Sequence, residues 1–179
     1  MSTRSWMAMV IVLIAVTGYT RSVAQERPNL GRPATPAEVA GWDISIPPDG
    51  TGLPSGSGTP EQGAVVYTQK CQACHGEQGA GKPNDQLVGG QGTLASANPV
   101  RTIGSYWPYA TTVFDFVRRA MPYTQSQSLT NDEVYSVTAY LLHLNGIIGA
   151  QDVLNAQTLP QVQMPNRANF ILAYPTPPK

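Results

Sequence analysis

Cysteine and histidine are scarce in this chain, two of each among 179 residues, and that scarcity narrows the chemistry open to it. A structural zinc site needs four ligands. With no second CxxC present, only His143 or a carboxylate could complete a set begun by Cys71, Cys74 and His75. Charge is scarce as well: 11 basic residues face 11 acidic ones, which argues against nucleic acid and against a polybasic membrane surface as partners. Long apolar runs are missing, since the one from Trp6 to Val16 is too short to span a bilayer. There is no internal repeat.

What the chain does contain is a concentration of its scarce residues: Cys71-Gln-Ala-Cys74-His75 holds both cysteines and one of the two histidines. Two thiols three residues apart can add across the two vinyl groups of a haem, with an imidazole placed directly beneath the iron, so the pentad reads as a site for one covalent haem c. A redox-active dithiol is the other reading. A thioredoxin-like motif belongs in a βαβ pattern, however, and here a Gly/Pro/Asn loop follows from Gly76 to Gly92.

The amino terminus agrees with that reading. Residues 1–24 have a basic start at Arg4, the short apolar run and a small-residue ending at Ala24, the form of a cleaved secretory signal. Arg21, close to the cleavage point, is the feature that would suit an uncleaved anchor instead. The expected location is the periplasm, with no membrane span once the signal is removed. Loss of Arg4 and Arg21 takes the basic count from 11 to 9 against 11 acidic residues, a mature charge of about −2.

The remainder divides into three stretches. Residues 25–58 are rich in Pro, Gly and Thr, with one short helical candidate at Pro36 to Ala40, and cannot bury a core of their own. Residues 59–146 are helical in pattern. Residues 147–179 return to Gln, Pro and Asn. Thr59-Pro60-Glu61-Gln62 is a capping box with proline at the first helical position, opening a helix that runs into Cys71. A second helix is expected from Thr112, with Asp115 at its third position, Arg118 and Arg119 in the last turn and Pro122 as its stop. A third opens at the capping box Thr130-Asn-Asp-Glu133, carries Val134, Val137, Leu141 and Leu144 on one face, and ends at Asn145-Gly146. The fold class expected is all-α, a small haem domain with extended N- and C-terminal arms.

A sixth ligand to the iron separates an electron carrier from a catalyst. Met121, before Pro122 and between the second and third helices, is the candidate, since a thioether stabilises ferrous iron. Met164-Pro165 repeats the dipeptide on the tail, and His143 offers bis-His ligation; core packing for Met121 and a partly exposed helical histidine are the plain alternatives. Trp107 and Tyr109 are candidate donors to haem propionates, with Arg101 as charge partner, or else ordinary packing under a loop. Gly89 to Gly92 lacks the lysine and the preceding strand of a phosphate loop and reads as a tight turn near the haem edge.

With CxxCH, Met-Pro and the closing helix in order, residues 59–146 resemble a class I cytochrome c. The resemblance implies Cys71 and Cys74 as attachment points and His75 and Met121 as axial ligands. Such domains usually place a proline two residues before a leucine after the haem motif, where a carbonyl accepts the His Nδ1 proton. Here Asp85 stands at that place before Leu87, with Pro83 displaced, and the acceptor stays unassigned.

A narrower resemblance extends into both arms. The segments Gly31 to Ile44, Pro48 to Pro54, Gly89 to Leu94, Thr102 to Tyr109 and Gln161 to Asn166 are similar to the cytochrome subunit of the sulfane dehydrogenase of the thiosulfate-oxidising Sox system. This implies a molybdenum-cofactor partner, sulfite-oxidase-like, that oxidises a sulfane sulfur and passes its electrons to this chain, with a downstream cytochrome as acceptor. The chain itself would be an electron-transfer subunit of an oxidoreductase complex without independent bond chemistry. Family members often carry a second haem domain, whereas this chain has one CxxCH. A free-standing soluble electron carrier is the second reading and a haem enzyme the third; the last needs an open or Cys-ligated iron, and attachment consumes both cysteines. Trp42, Ile44, Leu53, Val162, Phe170 and Tyr174 are spaced as anchors of arms wrapped over another surface, and the expectation is that the arms clasp the molybdenum subunit, packing back on their own haem domain being the alternative.

Overall fold

The computed structural model describes residues 30–171; the expected signal segment, residues 1–24, and Tyr174 lie outside them. The chain divides into two units, residues 1–39 and 40–179. In the described part of the first, Thr35 caps the start of helix α1 (Pro36–Trp42) through reciprocal bonds with Glu38. Arg32, and then Thr35, pull the Glu38 carboxyl down to about 2.

The second unit is helical, as expected, and is built on α2 (Pro60–Lys70), the single turn α3 (Gln72–His75), α4 (Ala110–Ala120) and α5 (Asn131–Leu144). Both capping boxes form: Thr59 accepts from the Gln62 N–H and Thr130 from the Glu133 N–H, each answered by the longer side chain. α2 and α5 cross at Gly63. A Cβ on this residue would stand 1.9 Å from the Ser136 carbonyl oxygen, so only glycine lets the two backbones approach so closely. Lys70 closes the other end of the crossing, its Nζ 2.7 Å from Glu133 Oε1.

α4 differs from its expected form. It begins at Ala110, with Tyr109 at the cap and no side-chain capping bond, so Thr112 lies inside the helix. Asp115 is therefore in the second turn rather than at a capping position, and it is buried. The helix turns Val113, Phe114 and Val117 into the core, where the Phe114 ring meets Tyr135 of α5 at 4.5 Å between centroids. Extending the helix toward Ala110 serves that burial, which outweighs the weak preference of Thr112 for a cap.

Residues 40–58 and 147–171 of the flanking segments belong to the same compact unit as residues 59–146. Ile46, Leu154, Leu159 and Met164 are all buried in its core, and Leu53 and Val162 pack against it. β1 (Ser57–Gly58) pairs antiparallel with β2 (Leu154–Asn155), joining one arm to the other. Trp42 and Phe170 stay exposed.

Candidate haem site

α2 ends by handing its chain directly to the haem motif. Cys71 is its C-cap and at the same time the N-cap of α3, which carries Cys74 and His75. The Cys74 and His75 N–H groups both donate to the Cys71 carbonyl, winding the pentad into one turn. Both thiols are free; Cys71 is half-buried and Cys74 exposed. Burial, with a smaller push from Cys74, raises the Cys71 thiol to about 11 against the opposing pull of Lys70.

His75 has the acceptor that the sequence left unassigned. Its Nδ1 lies 2.9 Å from the Asp85 carbonyl oxygen. A carbonyl only accepts, so Nδ1 carries the proton and Nε2 keeps its lone pair, the tautomer a metal-bound imidazole requires. The loop that presents Asp85 is tied down on both sides: Asn84 N–H donates to the Cys74 carbonyl and Leu87 N–H to the Gly79 carbonyl.

Two further residues hold this loop, and sequence reasoning gave neither a role in the site. Tyr67 is almost wholly buried, and its hydroxyl donates to the Gly76 carbonyl at 2.8 Å, next to His75. Desolvation raises its phenol to about 12, so it stays a donor. Asn145, expected only to end α5, donates to the Leu87 and Leu141 carbonyls and accepts from the Gly89 N–H. The only signal for either was position: Tyr67 on the inward face of α2, and an asparagine in place of a simpler helix stop.

Met121 is the C-cap of α4, its N–H bonded to the Val117 carbonyl, and it lies half-buried against the core. Met164, the rival, is 3% exposed among core side chains. His143 is half-buried, with Nδ1 3.3 Å from the Ile148 carbonyl oxygen in the turn after α5. The candidate propionate residues are engaged elsewhere in part: Arg101 stacks on Tyr106 at 5.6 Å, Arg167 on Tyr109 at 5.4 Å, and Trp107 meets Phe116 edge-on at 5.7 Å. Gly89, Gly90 and Gly92 all take positive φ, as the tight-turn reading expects.

The residues present fit a haem c. Two unpaired thiols and an imidazole whose Nδ1 proton is held by a carbonyl lie on one turn, with the Met121 thioether as the candidate further donor, and Leu87, Trp107, Met121 and Leu129 are half-buried apolar side chains packed against the core. A separate cavity of about 590 Å³ lies between Gln91, Tyr106, Asn166 and Phe170. Neither thiol, nor His75, nor Met121 lines it, so the haem assignment rests on the donor set.

Comparison with known proteins gives the same family. The model of cbb3-type cytochrome c oxidase subunit III matches residues 58–141. A thiosulfate dehydrogenase of Psychrobacter arcticus is 27% identical over 112 residues, 56% of this chain but 32% of its own length, so the chain spans about a third of that relative. The crystal structure of the sulfane dehydrogenase SoxCD of Paracoccus pantotrophus superposes with a TM-score of 0.74 and 41% identity, covering 84% of this chain and 73% of that one. The protein therefore belongs to the class I cytochromes c, in the group of the sulfane dehydrogenase cytochrome.

Proposed function

We propose that this cytochrome is the periplasmic electron-transfer subunit of a molybdenum-cofactor dehydrogenase of the sulfane or sulfite type, taking its electrons one at a time in sulfur-compound oxidation. The observation that carries the reading is the CxxCH turn with His75 oriented by Asp85, in a chain 41% identical to one of a sulfane dehydrogenase. Cys71 and Cys74 would hold one haem c covalently, and His75 and Met121 are the residues that would ligate its iron. When bound, the group supplies a one-electron couple between ferric and ferrous iron. The protein's own work is to fix the imidazole tautomer through Asp85 and to hold the Met121 thioether, half-buried against the core, available as a ligand. Each two-electron oxidation step at the partner would therefore have to discharge through a one-electron site in two transfers. Arg101, Trp107 and Tyr109 are the residues proposed to meet the propionates, and the exposed Trp42 and Phe170 are proposed as anchors for the partner.

The reading is tested on the holoprotein. It should keep its haem in a denaturing gel, and its ferric form should show the weak long-wavelength band of thioether ligation. Met121→Ala should abolish that band and lower the reduction potential, and His75→Ala should prevent normal ligation. His143→Ala should change neither. Loss of the band in Met164→Ala instead would overturn the assignment, and a spectral change in His143→Ala would favour bis-His ligation.

A further inference from the structure

A carboxylate in the middle of a packed helix is costly unless its oxygens are matched, and Asp115 is matched in an unusual direction. It is 7% exposed. One partner is local: Arg119, one turn on, approaches with Nε at 3.0 Å from Oδ1 and Nη2 on Oδ2. The other is 69 residues away, where the Ile46 N–H donates to Oδ1 at 2.9 Å. Two neighbours on the same helix repeat the pattern. Thr111 Oγ1 donates to the Pro48 carbonyl at 3.3 Å, and Arg118 Nη1 to the Ile44 carbonyl at 3.4 Å.

Positions 111, 115 and 118 fall on one face of α4 at i, i+4 and i+7. They meet residues 48, 46 and 44 of the arm in reverse order, so the arm lies antiparallel along the helix, held at every second residue. Between these bonds the Ile46 side chain enters the core. α4 continues straight into Met121, whose N–H makes the closing bond of the helix to Val117 at 3.0 Å. A shift of the last two turns of α4 therefore carries Met121 with it.

We propose that Asp115 is a positioning residue, and that through it the 44–48 strap seats α4 and holds Met121 at the sixth coordination position of the iron. This rests on Met121 being the distal ligand, as proposed above. An arm whose composition suggests a linker thus becomes part of the scaffold of the redox centre. Because a bond to a charged group is at stake, losing it should loosen the hold on Met121 by about tenfold or more.

The measurement is competition: exogenous imidazole titrated into the ferric holoprotein, well below its melting temperature, displaces the thioether and bleaches the long-wavelength band. Asp115→Ala should bind imidazole about tenfold more tightly and show a lowered reduction potential, with the haem still attached. Asp115→Asn keeps an acceptor for the Ile46 N–H and should fall between Asp115→Ala and the parent. Should Asp115→Ala fail to fold, Thr111→Val with Arg118→Met removes the other two strap bonds and should shift imidazole affinity in the same direction. Variants with lower melting temperatures but parental imidazole affinity and potential would overturn the proposal, leaving Asp115 a stabilising residue only. If Met121→Ala left the long-wavelength band in place, the ligand assignment would fail first, and the two failures are thereby distinguished.

Discussion

At the scale of single residues, the site depends on hydrogen bonds that fix its polar atoms. The Nδ1–H of His75 and the hydroxyl of Tyr67 end on carbonyls of the same loop, Asp85 and Gly76. The Asp85 bond uses backbone and survives any side-chain change at that position, whereas the Tyr67 bond does not. Tyr67→Phe should lower stability by about 1 kcal/mol, the net value of one such bond, as read from denaturant midpoints. The ring stays in place against Tyr140, centroids 5.4 Å apart, so the haem spectrum should be kept. A melting midpoint equal to the parent's would show that water replaces the bond at no cost.

Among the elements, the crossing of α2 and α5 sets the frame from which the haem motif hangs, since α2 runs directly into Cys71. Gly63 permits the contact and Lys70 with Glu133 secures it. Lys70, and after it the Thr130 cap, lower the Glu133 carboxyl below its usual 4.5. A carboxyl depressed in the folded state adds stability above its unfolded pKa, and that contribution is lost as pH falls through the lower folded value. Glu133→Gln keeps an acceptor for the cap and loses the ion pair. At neutral pH it should therefore be less stable than the parent by about 0.5–1 kcal/mol, with the gap closing below pH about 4. Urea titrations at the two pH values check this, and a gap that persisted in acid would assign the loss to the cap instead.

For the whole molecule, the two arms do different work along their length. Leu154, Leu159 and Met164 are each 3% exposed or less, and burying such a side chain contributes about 1.5–3 kcal/mol. Their sum is comparable to the whole net stability of a domain, about 5–15 kcal/mol. Truncation after Gly149 should accordingly abolish the cooperative thermal transition seen by circular dichroism. Trp42, 85% exposed, should behave oppositely. Trp42→Ala should leave the melt unchanged and weaken co-purification with the molybdenum-cofactor partner proposed above. Undiminished capture by Trp42→Ala would remove this residue from the proposed interface.

What the sequence determined by itself was local. The haem pentad is five consecutive residues, and each capping box spans four, so the interactions that define them are visible without knowing the fold. The same holds for the turn glycines, where positive φ is a property of the residue. The tertiary structure decided what depends on distant partners. Asp115 reads as a helix cap until Ile46 arrives from 69 positions away, and Asn145 reads as a helix stop until Leu87 and Gly89 reach it. The acceptor to His75 was hidden for a related reason: backbone carbonyls carry no residue-type signature, and the displaced Pro83 removes the usual marker. The arms were legible as stretches unable to form their own core. That Ile46, Leu159 and Met164 complete the core of the haem domain follows only from packing, because isolated apolar residues in a Pro-rich stretch have no periodicity from which to read the surface they cover.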